Sequence, residues 1–278
     1  MRLAALVVLT MTAFAANSVL NRIGVWELGM NPVDFAVIRV AAGAAMLWLL
    51  VALRRAPRPG FRGPRRWAGA MALAVYMLGF SWAYQSLDTG IGALILFGAL
   101  QVVIFGWSVR QGHQIPALRW LGAGVALAGL CVLLWPGAQI DAPFVGAAAM
   151  LAAAFGWAVY TLLGRGEADA LGGTAANFAL CLPLAVGFAL IAGGGPLTPA
   201  GIATACVAGA VTSGLGYALW YRVLPQMEAT TAGIAQLSVP VIAVAAGVLL
   251  LGETLSPRAL IAAAMVLGGI GLSLRART

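Results

Sequence analysis

The stretch LGYALWYRVL at Leu215 to Leu224 repeats, at an offset of 137 residues, the stretch LGFSWAYQSL at Leu78 to Leu87. Four of the ten positions are identical: Leu78, Gly79, Tyr84 and Leu87 recur as Leu215, Gly216, Tyr221 and Leu224, and Phe80 returns as Tyr217. An offset of about half the 278-residue chain is too long for a solenoid and indicates one unit written twice. Two weaker echoes keep nearly the same spacing. Gly112 aligns with Gly252, and Ala13-Phe14-Ala15 aligns with Ala154-Phe155-Gly156. The repeats they define are residues 1–139 and 140–278.

The unit is a membrane unit. The chain is 62% hydrophobic and 9% charged, where soluble domains carry about 25% charged residues. Cys131, Cys181 and Cys206 all lie in apolar runs without metal-ligand spacing and read as small buried hydrophobes. Net charge is +8, and all sixteen basic residues are arginines. Six of them, Arg54, Arg55, Arg58, Arg62, Arg65 and Arg66, share one short loop between apolar runs. That is a topology signal, so a nucleic-acid partner is not expected.

A hydrocarbon core about 30 Å thick needs about 20 apolar residues per helix. Ten stretches qualify, near 3–24, 33–53, 67–87, 91–110, 118–135, 144–163, 174–193, 199–221, 229–251 and 258–275. Gly and Pro punctuate the breaks, as in ArgProGly at 58–60, ProGly at 136–137, GlyGlyGlyPro at 193–196 and SerPro at 256–257. The first span also has the form of a signal peptide, with Ala13-Phe14-Ala15 as its cleavage site. Its match to the sixth span argues that it stays as a structural helix. Placing the N-terminus in the cytoplasm puts thirteen of the sixteen arginines on that side, and Glu27, Asp34, Asp88, Asp141 and Glu253 on the other, with Arg22 and Arg258 as the only arginines near that surface. Both termini are therefore predicted to be cytoplasmic. Five spans per repeat is an odd number, so the second copy enters from the opposite side. The predicted fold is an all-α membrane protein of ten transmembrane helices in two inverted five-helix repeats, an architecture of many secondary transporters with the substrate near the midplane.

GlyGluThrLeuSer at 252–256, Pro240 inside the ninth span, Phe155-Gly156-Trp157 and the five-plus-five count resemble the EamA family of the drug/metabolite transporter superfamily. The resemblance covers the whole chain through diffuse motifs. It implies a multi-pass protein of the bacterial inner membrane that exports small metabolites such as amino acids. Two departures stand out. Gly112-His113 occupies a place where the family favours GlyGlu, and the fourth span has no proline matching Pro240.

Polar groups within spans mark the candidate site, because hydrocarbon penalises them unless they face a cavity or a partner. Thr10, Asn17 and Asn21 share one helical face. Asn17 at mid-span can both donate and accept to a zwitterionic or hydroxylated substrate, or can bond a neighbouring helix. Arg39 lies five or six residues inside its span. It can grip a substrate carboxylate or snorkel to the surface beside Asp34. Gln101 and Gln236 sit at similar depths in matching helices, and Gln236 is one turn before Pro240, whose missing N–H frees a backbone carbonyl. The aromatic candidates are Tyr84, Trp157, Tyr160, Tyr217 and Tyr221, with Phe80 beside them. Tyr84 and Tyr221 read equally as interface anchors, and Trp82 and Trp220 are expected to face elsewhere. Small residues in spans five and ten, including Gly122, Gly129 and Gly269, predict close packing or a dimer contact.

No catalytic, metal or cofactor motif emerges: the one histidine, His113, stands in a loop, and no carboxylates pair. The expected partners are a small-molecule substrate and the lipid bilayer, and the protein is a monomer or homodimer. No Asp or Glu lies deep in a span, which favours uniport or exchange by alternating access, or proton coupling through an end carboxylate such as Glu228. The alternatives are a multidrug or other solute/proton antiporter and, more remotely, an intramembrane enzyme.

Overall fold

The computed structural model describes residues 2–54, 60–112, 115–135, 143–164, 167–227 and 229–275, with side chains in the last segment from 235 onward. All regular structure among them is helical. The helices are α1 (Arg2–Glu27), α2 (Pro32–Leu53), α3 (Pro64–Ala83), α4 (Thr89–Arg110), α5 (Ala117–Leu134), α6 (Phe144–Gly164), α7 (Ala170–Ala192), α8 (Pro199–Gln226), α9 (Ala229–Leu251) and α10 (Pro257–Arg275). Eight are long and apolar enough to cross a membrane. Of the other two, α3 opens on Pro64-Arg65-Arg66, and α9 carries the apolar run Ala235–Leu251 over the part described with side chains. His113, Glu228, Arg55, Arg58, Asp141, Arg165 and Arg277 lie outside the described residues.

Local chemistry sets the ends. Asn31 caps α2 by accepting from Val33 N at 2.9 Å, with Pro32 as its first residue, and Asp169 caps α7 by accepting from Gly172 N at 3.0 Å. The sequence echo Gly112/Gly252 has a backbone reason. Both glycines follow a helix C-terminus in the left-handed region, at φ 73° and 66°, where a Cβ would be strained.

The glycine of the duplicated stretch has different surroundings in its two copies. Gly79 lets α3 approach α6 so closely that a Cβ there would stand 2.7 Å from Ala149 O. Gly156, on the facing helix, would meet Ala72 O at 2.6 Å. Gly216 faces α1 across ordinary distances, with Ala13 Cβ at 3.5 Å. α3 thus packs on α6 and α7, and α8 packs on α1 and α2. The small residues of α5 and α10 pack against each other within one chain: a Cβ on Gly122 would meet Ser273 N at 2.6 Å, and one on Gly129 would meet Met265 Cβ at 2.8 Å. Gly124, Gly268 and Gly271 have open space beside them.

Two local expectations change. Cys181 is buried, but Cys131 is exposed and Cys206 half-buried, because α5 turns that face outward while its glycines occupy the α10 side. Helix α8 runs five residues further than the predicted span and is interrupted by a π-helical segment, Ala208–Leu215 (AGAVTSGL). Gly209 is pressed onto the backbone of Arg39 there, and Thr212 Oγ1 lies 2.9 Å from Ala208 O.

The two ends of the bundle are held differently. At the arginine-rich end Arg54 forms a two-point ion pair with Asp169, Arg66 pairs with Glu167 at 3.0 Å, and Arg65 donates to Leu163 O at 2.7 Å. The Arg54 guanidinium holds the Asp169 carboxyl below its ordinary range. At the acidic end Arg258 donates to Val132 O at 2.6 Å and to Trp135 O, and Asp34 accepts from Gly195 N at 2.8 Å.

Candidate functional site

A cavity of about 510 Å³ opens at the arginine-rich end, between the C-terminal halves of α4, α6, α8 and α10 and the start of α5. Arg119 and Ser108 stand toward its mouth, and Gln101, Trp157, Tyr217, Trp220, Tyr221 and Gln236 line its depth. Trp157, Tyr217 and Gln236 also line a narrower hollow of about 20 Å³ further in, shared with Phe14, Asn17, Ser18, Tyr76, Phe80 and Phe97. That is room for about one water. The two hollows share these three wall residues and mark a path that narrows toward the centre of the bundle.

The path ends in a hydrogen-bonded polar cluster. Thr212 Oγ1 donates to Asn17 Oδ1 at 2.7 Å, and Ser213 Oγ lies 3.4 Å from the same oxygen. Ser213 Oγ accepts from Arg39 Nε at 3.1 Å, and Tyr76 Oη accepts from Arg39 Nη2 at 3.3 Å. The Arg39 guanidinium lies 4.9 Å from the Phe80 ring centre and 5.6 Å from that of Tyr76. Its Nη1 has no hydrogen-bond partner, although the residue is 0% exposed. The Tyr217 hydroxyl is likewise buried without a partner. An unpartnered buried polar atom costs about 1–3 kcal/mol, which makes the Tyr217 hydroxyl, on the wall of both hollows, a natural place for a ligand to bond.

Aromatic rings fix the walls. Trp157 packs against Tyr76 at 5.0 Å, Tyr217 at 5.2 Å and Tyr160 at 5.6 Å, and Phe14 meets Tyr217 edge-on at 5.8 Å. Such contacts hold large side chains in single orientations at an apolar surface.

Beyond the inner hollow a second network joins three helix ends. Arg22, at the end of α1, pairs with Asp88 at 3.1 Å and lies 3.7 Å from Glu253, after α9. Glu253 accepts from Thr89 N at 2.8 Å and Thr89 Oγ1 at 2.7 Å, at the start of α4. Arg22 also donates to Tyr84 O at 3.4 Å and lies over the Trp26 ring at 4.5 Å. The network thereby ties the ends of α1, α4 and α9 together at the acidic end.

Of the sequence candidates, Asn17, Gln101, Trp157, Tyr217, Tyr221 and Gln236 stand on the walls of this path. Arg39 neither snorkels nor reaches the wall; it sits one layer behind Tyr76, Phe80 and Ser213. Tyr84 is off the path. It is fully buried beside Phe80 and Gly92 near the acidic end, its hydroxyl 3.4 Å from Thr89 O, because α3 ends there. Tyr160 lines a separate cavity of about 250 Å³ bordered by Arg62, Arg65 and Arg66, and donates to Thr174 Oγ1 at 3.3 Å. Tyr221 stands between that cavity and the larger one. Trp220, expected to face elsewhere, lines the large cavity. Thr212, Ser213 and Tyr76 were not singled out by sequence, although Thr212-Ser213 is the polar interruption of α8. Arg22 read as a surface arginine and proves to be the centre of a nearly buried network.

Residues 144–275 match the EamA-like transporter family. The chain is 46% identical, over 98% of its length and 94% of the relative's, to an uncharacterized protein of Pseudomonas aeruginosa. It is 27% identical to an uncharacterized transporter of Archaeoglobus fulgidus, covering 84% of each chain. To the uncharacterized transporter YwfM of Bacillus subtilis it is 23% identical over 86% of this chain and 83% of that one. A protein crystal structure superimposes with a TM-score of 0.67 at 19% identity, over 97% of both chains, which is a likeness of fold.

Proposed function

The chain belongs to the EamA-like transporter family, and from that premise we propose a secondary transporter of the bacterial inner membrane, built as two inverted five-helix repeats, that exports small organic metabolites, amino acids or related compounds, by alternating access. The observation that carries the reading is the tapering of the hollows: about 510 Å³ at the arginine-rich end, a narrower space at Asn17 and Tyr217, and beyond them the ion-pair network of Arg22, Asp88 and Glu253. With the arginine-rich end in the cytoplasm, this is a conformation ready to load.

The inversion is supported by the duplicated glycine. Gly79 packs on α6, the sixth helix, and Gly216 packs on α1, whose Ala13-Phe14-Ala15 echoes that sixth helix. Equivalent crossings thus recur with the halves exchanged, one tight at 2.7 Å and one loose at 3.5 Å. A transporter caught facing one side requires that asymmetry, since rocking closes the loose crossing as it opens the tight one. In this reading Asn17, Gln236, Tyr217 and Trp157 contact substrate at the centre, Gln101 and Tyr221 line the large cavity leading to it, and Arg39 acts from behind the wall.

Counterflow of labelled amino acids and related metabolites in proteoliposomes tests the activity, beside Asn17→Ala and Gln236→Ala. Accelerated uptake lost in both variants is the expected result. Undiminished export by both removes these residues from the site, and a C-terminal reporter found outside the cell reverses the topology.

A further inference from the structure

We propose that the transported species is an organic anion with a planar apolar body, driven outward by the membrane potential; this names a substrate class for the site above and rests on the transport reading. The reason is an uncompensated charge. Arg39 is wholly buried, and its contacts are neutral: the hydroxyls of Ser213 and Tyr76 and the ring faces of Tyr76 and Phe80. Removing a cation from water is costly, and such groups persist where a partner of opposite charge completes them. Among the described residues no carboxylate touches Arg39, and its Nη1 is unpartnered.

The rest of the path has the same sign. Among the described residues, Arg119 is the charged residue lining the large cavity, and no Asp or Glu lines that cavity or the inner hollow. The described carboxylates, Glu27, Asp34, Asp88, Glu167, Asp169 and Glu253, all stand at helix ends. An anion entering from the arginine-rich end meets positive potential at the mouth and again behind the inner wall, where the low-dielectric surroundings of Arg39 screen it weakly. A cation is opposed at both places. Trp157, Tyr217, Phe14 and Phe97 supply flat apolar walls for the body of the molecule.

This assignment also supplies a driving force. A solute carrying one negative charge out of a cell that is negative inside gains about fiftyfold in gradient per 100 mV, and needs neither a counter-ion nor a titrating carboxylate in the site. One negative charge leaves per cycle.

The test uses three probes of one shape, 3-phenylpropionate, its amide, and 3-phenylpropylamine, titrated against tryptophan fluorescence of the full chain in detergent. The carboxylate and amide are then followed in proteoliposomes under a clamped potential, with protein-free vesicles subtracted. The carboxylate is expected to bind about tenfold more tightly than the amide and still more tightly than the amine. Its exit should accelerate as the interior is made negative. Arg39→Gln should bring carboxylate and amide together, while Arg39→Lys keeps them apart. If Arg39→Gln does not fold, Arg39→Lys and the probe series on the parent chain carry the comparison. Equal or tighter binding of the amide or amine, or potential-independent carboxylate exit, overturns the anion assignment and leaves the transporter reading standing. Binding by none of the three overturns it as well, and the transporter reading is then judged by its own counterflow test.

Discussion

Replacing Glu253 by Gln should unlock the acidic end of the bundle. The carboxylate is 8% exposed, accepts two hydrogen bonds from Thr89 at 2.7 and 2.8 Å, and lies 3.7 Å from Arg22. Glutamine keeps the shape and one acceptor but removes the charge. Each charge-assisted bond that becomes neutral loses about 1 kcal/mol. Arg22 keeps Asp88 at 3.1 Å, so the lost attraction to Glu253 is partly offset. The closed end should therefore lose about 2 kcal/mol, a factor of about 30, and a state open at that end at about 1% rises to about a quarter. To read it, Cys131, Cys181 and Cys206 are replaced by Ser and Leu87, fully buried just after α3, is replaced by Cys as the single thiol. Modification by an impermeant maleimide added from the acidic side should run about twentyfold faster in the Glu253→Gln variant than in the same background with Glu253 intact. Rates within twofold of each other, in proteins of equal melting temperature, would refute the idea that this network holds the end shut.

Other outcomes follow from the same geometry. Gly79→Val drives a side chain into Ala149 O and should destabilise by about 1–3 kcal/mol or more, whereas Gly216→Ala, with 3.5 Å available, should leave the melting temperature in detergent nearly unchanged. Tyr217→Phe removes a buried hydroxyl that has no partner, so stability should hold or rise by about 1 kcal/mol while counterflow falls; unchanged counterflow would mean that the hydroxyl meets no substrate. Asp169→Asn keeps the cap on α7 but loses the charge held by Arg54. Because the folded carboxyl titrates below its unfolded value of about 3.9, its contribution is present above that pH and vanishes as pH falls through the lowered folded value. At 39% side-chain exposure the pair contributes at most about 1 kcal/mol, so the difference in melting temperature between parent and variant should be small at pH 7 and shrink as pH falls below about 3.9.

The sequence carried the helices well, because hydrophobic runs and Gly/Pro breaks are local signals. Gln101 and Gln236, matched by depth alone, do share one cavity wall. Local signals fail where a residue's role depends on what lies across the bundle. Tyr84 and Tyr221 are the same letter of the same repeat, yet one is buried near the acidic end and the other lines the large cavity, a difference of conformation that no sequence pattern encodes. Arg39 was legible as costly, but its position behind Tyr76 and Ser213 depends on α2, α3 and α8 meeting, across 174 residues of chain in the last case. Arg22 looked superficial because its carboxylate partners lie 66 and 231 residues away. The π-helical break in α8 had only a run of small and hydroxylated residues to announce it.

That break has a mechanical meaning. A π-helical segment holds a surplus residue inside a helix, and each residue turns an α-helix by about 100°. Were the surplus at Ala208–Leu215 taken up or passed along, everything after it would swivel as one piece, carrying Tyr217, Trp220 and Tyr221 together around the axis of α8. The upstream half, anchored where Gly209 meets the backbone of Arg39, would stay still. Helix α8 thus carries a break in register between its contact with the buried arginine and the aromatic lining of the cavity.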